Sequence, residues 1–199
     1  MERVPIYILA GGKSSRFGRD KAREQLGGVP LIVQLARTVQ SVASSITVVA
    51  DRPDKYRDLE LRTIVDSVPG LGPIGGLLTA LDDCVSDGWL LVLSCDYVGV
   101  RTDWIRGLLA HRRDGTRAVV YRHSAGWEPL LALYHTAIRP TVAEHVADGE
   151  LAMWALVEAV ERVAVPVPAD WAEHSNVNVP EDLSRRTGGL REQASGDTR

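Results

Sequence analysis

The chain predicts one α/β domain, a mostly parallel β-sheet with helices packed on both faces, and three observations carry that prediction. Short apolar runs rich in β-branched residues recur along its 199 residues, as strands buried on both sheet faces do. Stretches with apolar residues at helical spacing lie between them, and such alternation calls for βαβ crossovers. The length and the 45% apolar content suit a single sizeable core.

Residues 4–9 form the first apolar run and lead into a glycine-rich loop. Residues 30–42 follow as a helix, with Leu31, Leu35, Val39 and Val42 on one stripe and Pro30 suited to a first-turn position. Strands are predicted at 46–50 and 61–65, a helix at 73–85 and a strand at 89–94. A helix over 102–113 has Thr102 and Asp103 as candidate N-caps. The strands at 117–121 and 130–134 lie closer together, which allows an antiparallel member there. Helices at 136–147 and 150–161 and a strand at 163–167 complete the pattern. Residues 1–186 read as the domain. Residues 187–199 are polar and unpatterned, and are expected to be a disordered tail.

Composition excludes several classes. The net charge of −3 argues against a nucleic-acid binder, which is usually basic. No apolar stretch approaches the roughly 20 residues of a membrane span, and the first ten residues lack the features of a signal peptide. A soluble, cytoplasmic protein is expected. Two cysteines, Cys84 and Cys95, make neither a disulfide scaffold nor a zinc site, and read as reduced core residues. The five histidines form no spaced cluster, which removes zinc and Ser/His/Asp chemistry. Lysine and asparagine are scarce: Lys13, Lys21 and Lys55, Asn176 and Asn178 are all there are. Coding bias explains the scarcity, and the survivors mark positions where Arg or Asp will not serve.

The strongest chemical signal is Leu9-Ala-Gly-Gly-Lys-Ser-Ser-Arg-Phe-Gly-Arg-Asp-Lys21, directly after the first strand. Ligands of open α/β sheets bind at that edge. Gly11, Gly12 and Gly18 let backbone N–H groups approach a ligand. Lys13, Arg16, Arg19, Lys21 and Arg23 against Asp20 concentrate positive charge in an acidic protein. Backbone donors with concentrated charge describe a polyphosphate site; the alternative is a surface Gly/Arg turn. A Walker A loop is excluded because its first glycine would be Tyr7, and GxGxxG is absent.

This segment, with Leu26-Gly-Gly-Val-Pro-Leu31, resembles the signature of the molybdenum cofactor guanylyltransferase family, within the nucleotidyltransferase superfamily. Further matches come in order: Asp66-Ser-Val-Pro-Gly-Leu-Gly-Pro-Ile-Gly-Gly76, Ser94-Cys-Asp96, Glu128-Pro-Leu-Leu-Ala-Leu-Tyr134 and Asn176-Val-Asn-Val-Pro-Glu-Asp182. The double glycine after Ala10 tilts toward the guanylyl members. The resemblance implies a single-domain Rossmann-like sheet of the nucleotide-diphospho-sugar transferase type. It implies transfer of GMP from GTP to molybdopterin bearing molybdenum, release of pyrophosphate, and dependence on Mg²⁺. Transient contact with other cofactor-biosynthesis proteins or with molybdoenzymes is in keeping with that role. The residues alone leave open another nucleotide or acceptor (cytidylyl transfer to molybdopterin, or a sugar or metabolite phosphate), and a catalytically silent nucleotide binder. Asp51 stands where the family usually has Asn, and Phe17, Val98 and Val179 replace Met, Pro and Thr.

Nucleotidyl transfer is an in-line attack between two anions, so the task is positioning and charge neutralisation. Lys21 is the candidate for the α-phosphate and transition state, with Arg16 and Lys13 toward the β/γ end. By matched position the resemblance implies nucleotide contacts at Leu9, Ala10, Gly11, Lys21, Asp66 and Asp96, and Gly12, Lys13, Asp51 and Gly75 are further candidates for the nucleotide site. Asp96 ends a buried strand and is the candidate Mg²⁺ ligand, the alternative being a cap or turn Asp; Asn178 is a second ligand or an Asx-turn residue. The Asp66–Gly76 loop has few side chains and can lie flat against base and ribose. Its alternative is a tight turn into the next helix, which needs some of its four glycines. Arg19 and Arg23 read as solvated surface, and Trp104, Trp154 and Trp171 as core or rim. The Trp127-Glu128 pair faces the acceptor in this reading.

Overall fold

The computed structural model describes residues 3–11, 20–97 and 99–171. Its main sheet contains β1 (Val4–Leu9), β4 (Ala43–Ala50), β5 (Thr63–Val65), β6 (Trp89–Ser94), β7 (Ala118–His123), β8 (Gly126–His135) and β9 (Arg162–Pro166). The strand order is β5-β4-β1-β6-β8-β7-β9. All run parallel except β8, antiparallel to both neighbours. The antiparallel member therefore falls where the closely spaced runs predicted one.

Side chains alternate between two apolar layers. Ile6, Ile8, Leu91, Leu93, Leu131 and Leu133 face α1 (Leu31–Val39) and α3 (Thr102–Ala110). Tyr7, Leu9, Leu90, Val92, Ala132 and Tyr134 face α2 (Pro73–Asp83), α4 (Arg139–Ala147) and α5 (Met153–Ala159). This period of two is why each run reads as continuously apolar: both faces are buried. Truncating one such fully buried Leu to Ala costs about 2–5 kcal/mol. Among the described residues no helix is long and apolar enough to cross a membrane.

Four local details differ from the sequence reading. Pro30 precedes α1 rather than opening it, and it belongs to a small hairpin, β2 (Gln25–Leu26) with β3 (Val29–Pro30). Gly27 and Gly28, at φ 62° and 79°, make its two-residue turn, a conformation that demands positive φ at both positions. Neither Thr102 nor Asp103 caps α3: Arg101 is the capping residue, without a side-chain cap, and the Thr102 hydroxyl donates to the Thr38 carbonyl at the end of α1. The helix expected from 136 begins at Arg139, with Pro140 in its first turn and a 3-10 turn ahead of it.

The far side of the sheet is pinned by a polar cluster. Tyr7 Oη donates to Asp83 Oδ2 at 2.9 Å, and Arg62 forks onto both Asp83 oxygens at 2.7 Å while also reaching Thr47. The Arg62 hydrogen bond holds the Asp83 carboxyl below its usual pKa against the opposing effect of burial. A group whose pKa is depressed by folding stabilises the fold fully above its unfolded pKa, about 3.9. That contribution fades as the pH falls through the lower folded value. Asp83→Asn keeps an acceptor for Tyr7 but loses the ion pair, and is expected to lower stability by about 1 kcal/mol at neutral pH. Denaturant melts at stepped pH should show the gap to wild type closing below about pH 4; a gap constant in pH would contradict it.

Candidate active site

From β1 the chain moves outward to β4 and β5, then returns to β6 on the other side of β1. The crevice beyond the carboxyl ends of β1 and β6 is thus a topological switch point, where open α/β sheets bind ligands. Leu9 and Ala10 close the strands there: the Cys95 N–H donates to Leu9 O at 3.1 Å, and the Ala10 N–H donates to Val49 O at 2.9 Å. These two residues are buried, and Gly11 is the first exposed one. Of the predicted polyphosphate loop, Gly12, Lys13 and Arg16 lie outside the described residues, as do Phe17, Val98, Asn176, Asn178, Val179 and the expected tail.

The Asp20 carboxylate caps a 3-10 turn, Lys21–Arg23, by accepting from Ala22 N. That turn presses Lys21 inward to 7% exposure. Its Nζ stands 2.7 Å from Asp96 Oδ1, one residue beyond the Ser94–Cys95 end of the β6 region. A lysine this buried occurs almost only when it is paired. Residues 75 positions apart in sequence therefore meet at the switch point, Asp96 brought there by the end of β6 and Lys21 by the 3-10 turn. Next to them, burial and then the Asp96 carboxylate push the Cys95 thiol up to about 12, so it stays protonated.

The β4–β5 connection supplies a second charged group that the sequence reading missed. Lys55 Nζ lies 2.8 Å from Asp51 Oδ1 and 3.4 Å from Asp20 Oδ2, with its side chain only 10% exposed. The buried Tyr56 hydroxyl donates to the same Asp20 carboxylate at 3.1–3.2 Å. Arg23 forks onto Asp58 at 2.8 Å and also donates to the Lys55 carbonyl, so it is a clamp between the two segments rather than a solvated charge. Lys55 holds the Asp51 carboxyl below its usual pKa. Thus Asp51 is the exposed end of a relay running through Lys55 to the base of the loop. The signal available was rarity: Lys55 is the third of only three lysines.

On the other side, Asp66 follows β5 and turns one carboxylate oxygen into the fold, accepting from Val68 N at 3.0 Å and from Thr79 Oγ1 at 3.2 Å. All four glycines of its loop have structural reasons. Gly70 and Gly72 adopt φ of 90° and 69°. A Cβ on Gly75 would stand 2.9 Å from Val68 O, and one on Gly76 3.1 Å from Leu9 Cδ2. The turn into α2 requires Gly70 and Gly72, and the packing of α2 on Val68 and Leu9 requires Gly75 and Gly76. The same packing sets Asp66 and the loop backbone at the carboxyl edge.

Among the tryptophans, Trp104 is buried and stacks on Trp171 at 4.9 Å, whereas Trp154 is 62% exposed. Among the described residues no group of three His, Cys, Asp or Glu is poised to hold a metal.

A family model for a MobA-like NTP transferase domain matches residues 6–165. A probable molybdenum cofactor guanylyltransferase of Synechococcus elongatus is 33% identical over 188 residues, 88% of this chain and 93% of its own. One of Deinococcus radiodurans is 36% identical over 183 residues, 91% of this chain and 92% of its own. Among solved structures, molybdopterin-guanine dinucleotide biosynthesis protein A from Archaeoglobus fulgidus superposes with a TM-score of 0.80 at 23% identity, covering 95% of this chain and all of that one. The 2-C-methyl-D-erythritol 4-phosphate cytidylyltransferase of Thermus thermophilus superposes at 0.68 with 18% identity, over 96% of this chain and all of that one. These two structures speak to the fold alone.

Proposed function

This chain belongs to the MobA-like NTP transferase family, and we propose that it transfers GMP from GTP to molybdenum-bearing molybdopterin, releasing pyrophosphate. It is a nucleotidyltransferase; the nucleotide, the acceptor and the metal are what the proposal adds. The observation that carries it is the Lys21–Asp96 pair at the switch point, 2.7 Å apart, a buried lysine held against a carboxylate that stays about one-third exposed.

In this reading Lys21 neutralises the α-phosphate as the acceptor oxygen attacks phosphorus in line and pyrophosphate leaves. Arg16 and Lys13 take the β and γ phosphates. Gly11 and Gly12 offer backbone N–H groups, and Leu9 and Ala10 form the floor beneath the nucleoside. Asp66 and the Gly75 loop border the ribose and base, and Asp51 stands at the same edge. Asp96 fits a hard cation: its carboxylate is about one-third exposed, and Mg²⁺ needs only one or two protein oxygens when phosphates and water complete its shell. Asp96, with Asn178, would hold Mg²⁺, which when bound supplies positive charge to the phosphate oxygens. Residues 1–186 form the catalytic domain and 187–199 a tail outside it.

Ranking GTP, CTP, ATP and UTP by thermal shift with Mg²⁺ tests the nucleotide. At a hundredfold excess over Kd, binding adds about 2.7 kcal/mol, or a shift of about 5–10 °C for a chain of this size. GTP is expected to give the largest shift. A clear preference for CTP would overturn the guanylyl assignment, and absence of pyrophosphate release with molybdopterin would overturn the acceptor.

A further inference from the structure

The strand β8 runs antiparallel beside β6, so its first residues stand at the same sheet edge as the carboxyl ends of β1 and β6. The last β6–β8 pair is Leu93 with Leu131. Carried three residues further, that register brings segment 96–97 level with 127–128. The side chains meet accordingly: the Tyr97 hydroxyl donates to Glu128 Oε2 at 2.5 Å. Tyr97 adjoins Asp96 in the chain and is itself buried.

Glu128 is held from its other side as well. His123 Nε2 lies 2.7 Å from Glu128 Oε1. The Ala125 N–H donates to His123 Nδ1 at 3.1 Å, which puts the ring proton on Nε2, facing the carboxylate. Each carboxylate oxygen thus accepts from one neutral donor and keeps lone pairs to spare. Among the described residues no lysine or arginine pairs with Glu128.

The backbone is shaped for this. Between Val120 and Tyr121 the β7–β8 register slips from Val120–Ala132 to Tyr121–Glu128, leaving 129–131 without partners on β7. Pro129 has no N–H to lose there, and its carbonyl accepts from the buried Tyr134 hydroxyl at 2.8 Å. Bulges next to active sites re-aim side chains. The Glu128 side chain is 19% exposed, neither sealed nor solvated.

A fixed carboxylate that no described lysine or arginine neutralises is unsuited to phosphate, since both reactants of the proposed transfer are anionic. It suits a ligand edge carrying two adjacent N–H donors, which a carboxylate accepts with its two oxygens. A pterin ring has that edge, in its 2-amino group beside the ring N3–H. We propose that Glu128, oriented by Tyr97 and His123, binds the 2-amino/N3–H edge of the acceptor's pterin ring. The inference rests on the acceptor assigned above and names the part of the site that recognises it. Tyr97 and His123 are positioning residues that act through Glu128.

The probe is 6-hydroxymethylpterin, followed by its own fluorescence, with 6,7-dimethyllumazine as control because an oxo group replaces the 2-amino donors. Neither carries phosphate or nucleotide, so both read the ring subsite apart from guanylyl transfer. Wild type is expected to bind the pterin more tightly than the lumazine. Glu128→Gln, which offers one acceptor and one donor, is expected to weaken pterin binding about 10- to 100-fold while changing lumazine binding less than about threefold. His123→Asn is expected to fall between. Nucleotide-induced thermal shifts of Glu128→Gln should match wild type. Equal loss of both ligands would mean that Glu128 only staples the hairpin, and would overturn the inference. So would unchanged pterin affinity, or a wild-type chain that binds no pterin. Failure of the guanylyl reading shows separately, in the nucleotide ranking and in pyrophosphate release.

Discussion

Lys21→Ala is expected to lower the rate of pyrophosphate release by about a thousandfold while leaving the fold intact. The two halves have separate causes. The ammonium lies 2.7 Å from Asp96 in a setting that leaves Lys21 only 7% exposed. There a charge acts through a medium less polarisable than water and needs no reorganisation during reaction. Removing one such preorganised group costs about 10²–10³ in turnover in comparable sites. Stability responds less, because Asp96 is about one-third exposed and water can solvate it once the ammonium is gone. Because Lys21 is proposed to act on charge that develops during transfer, kcat and kcat/KM should fall together. Lys21→Arg should recover little, since a planar fork does not fit a slot shaped for a point charge. Stopped-time pyrophosphate assays beside thermal melts decide it: turnover within tenfold of wild type would remove Lys21 from the transfer step.

That pair also shows what the amino-acid order revealed. The strands were legible because burial on both faces leaves continuous apolar runs: β1 and β6 fall where the pattern put them, and the rest within a few residues. Lys21 and Asp96 were legible separately, as a basic residue closing a glycine-rich loop and a carboxylate ending a strand. Their meeting was not, because a contact across 75 positions depends on strand order, and composition carries no such information. The β2–β3 hairpin was marked by Gly27-Gly28 between two apolar residues, yet strands of two residues leave no periodicity to detect. Lys55 and Tyr56 were hidden for a different reason. They lie in a connection without strand or α-helix, and nothing local shows that it folds back on Asp20. The glycines after Asp66 serve close packing and positive φ as well, a requirement that shows only once α2 is seated against Val68 and Leu9.

Asp96→Ala is the complementary experiment, and its distinctive readout is the metal rather than the rate. Turnover is expected to fall by about 10²–10³, similar to the lysine variant. A fall alone would not separate the roles, because losing either partner disturbs the same pair. The Mg²⁺ titration does. If Asp96 supplies a protein oxygen to a cation otherwise held by phosphates and water, its loss should move the half-saturating Mg²⁺ concentration up by at least about tenfold. Lys21→Ala should leave that concentration near its wild-type value, since an ammonium cannot ligate a cation. Asp96→Asn refines the comparison: a neutral carboxamide keeps an oxygen but not the charge, so its half-saturation should lie between wild type and Asp96→Ala. Cys95 offers an internal check on integrity. Its thiol is kept protonated first by burial and only second by the Asp96 charge, so it should stay unreactive toward alkylating reagents at neutral pH in a correctly folded variant. Mg²⁺ dependence unaltered in folded Asp96→Ala would place the metal on other residues and leave the aspartate as the partner of Lys21 alone.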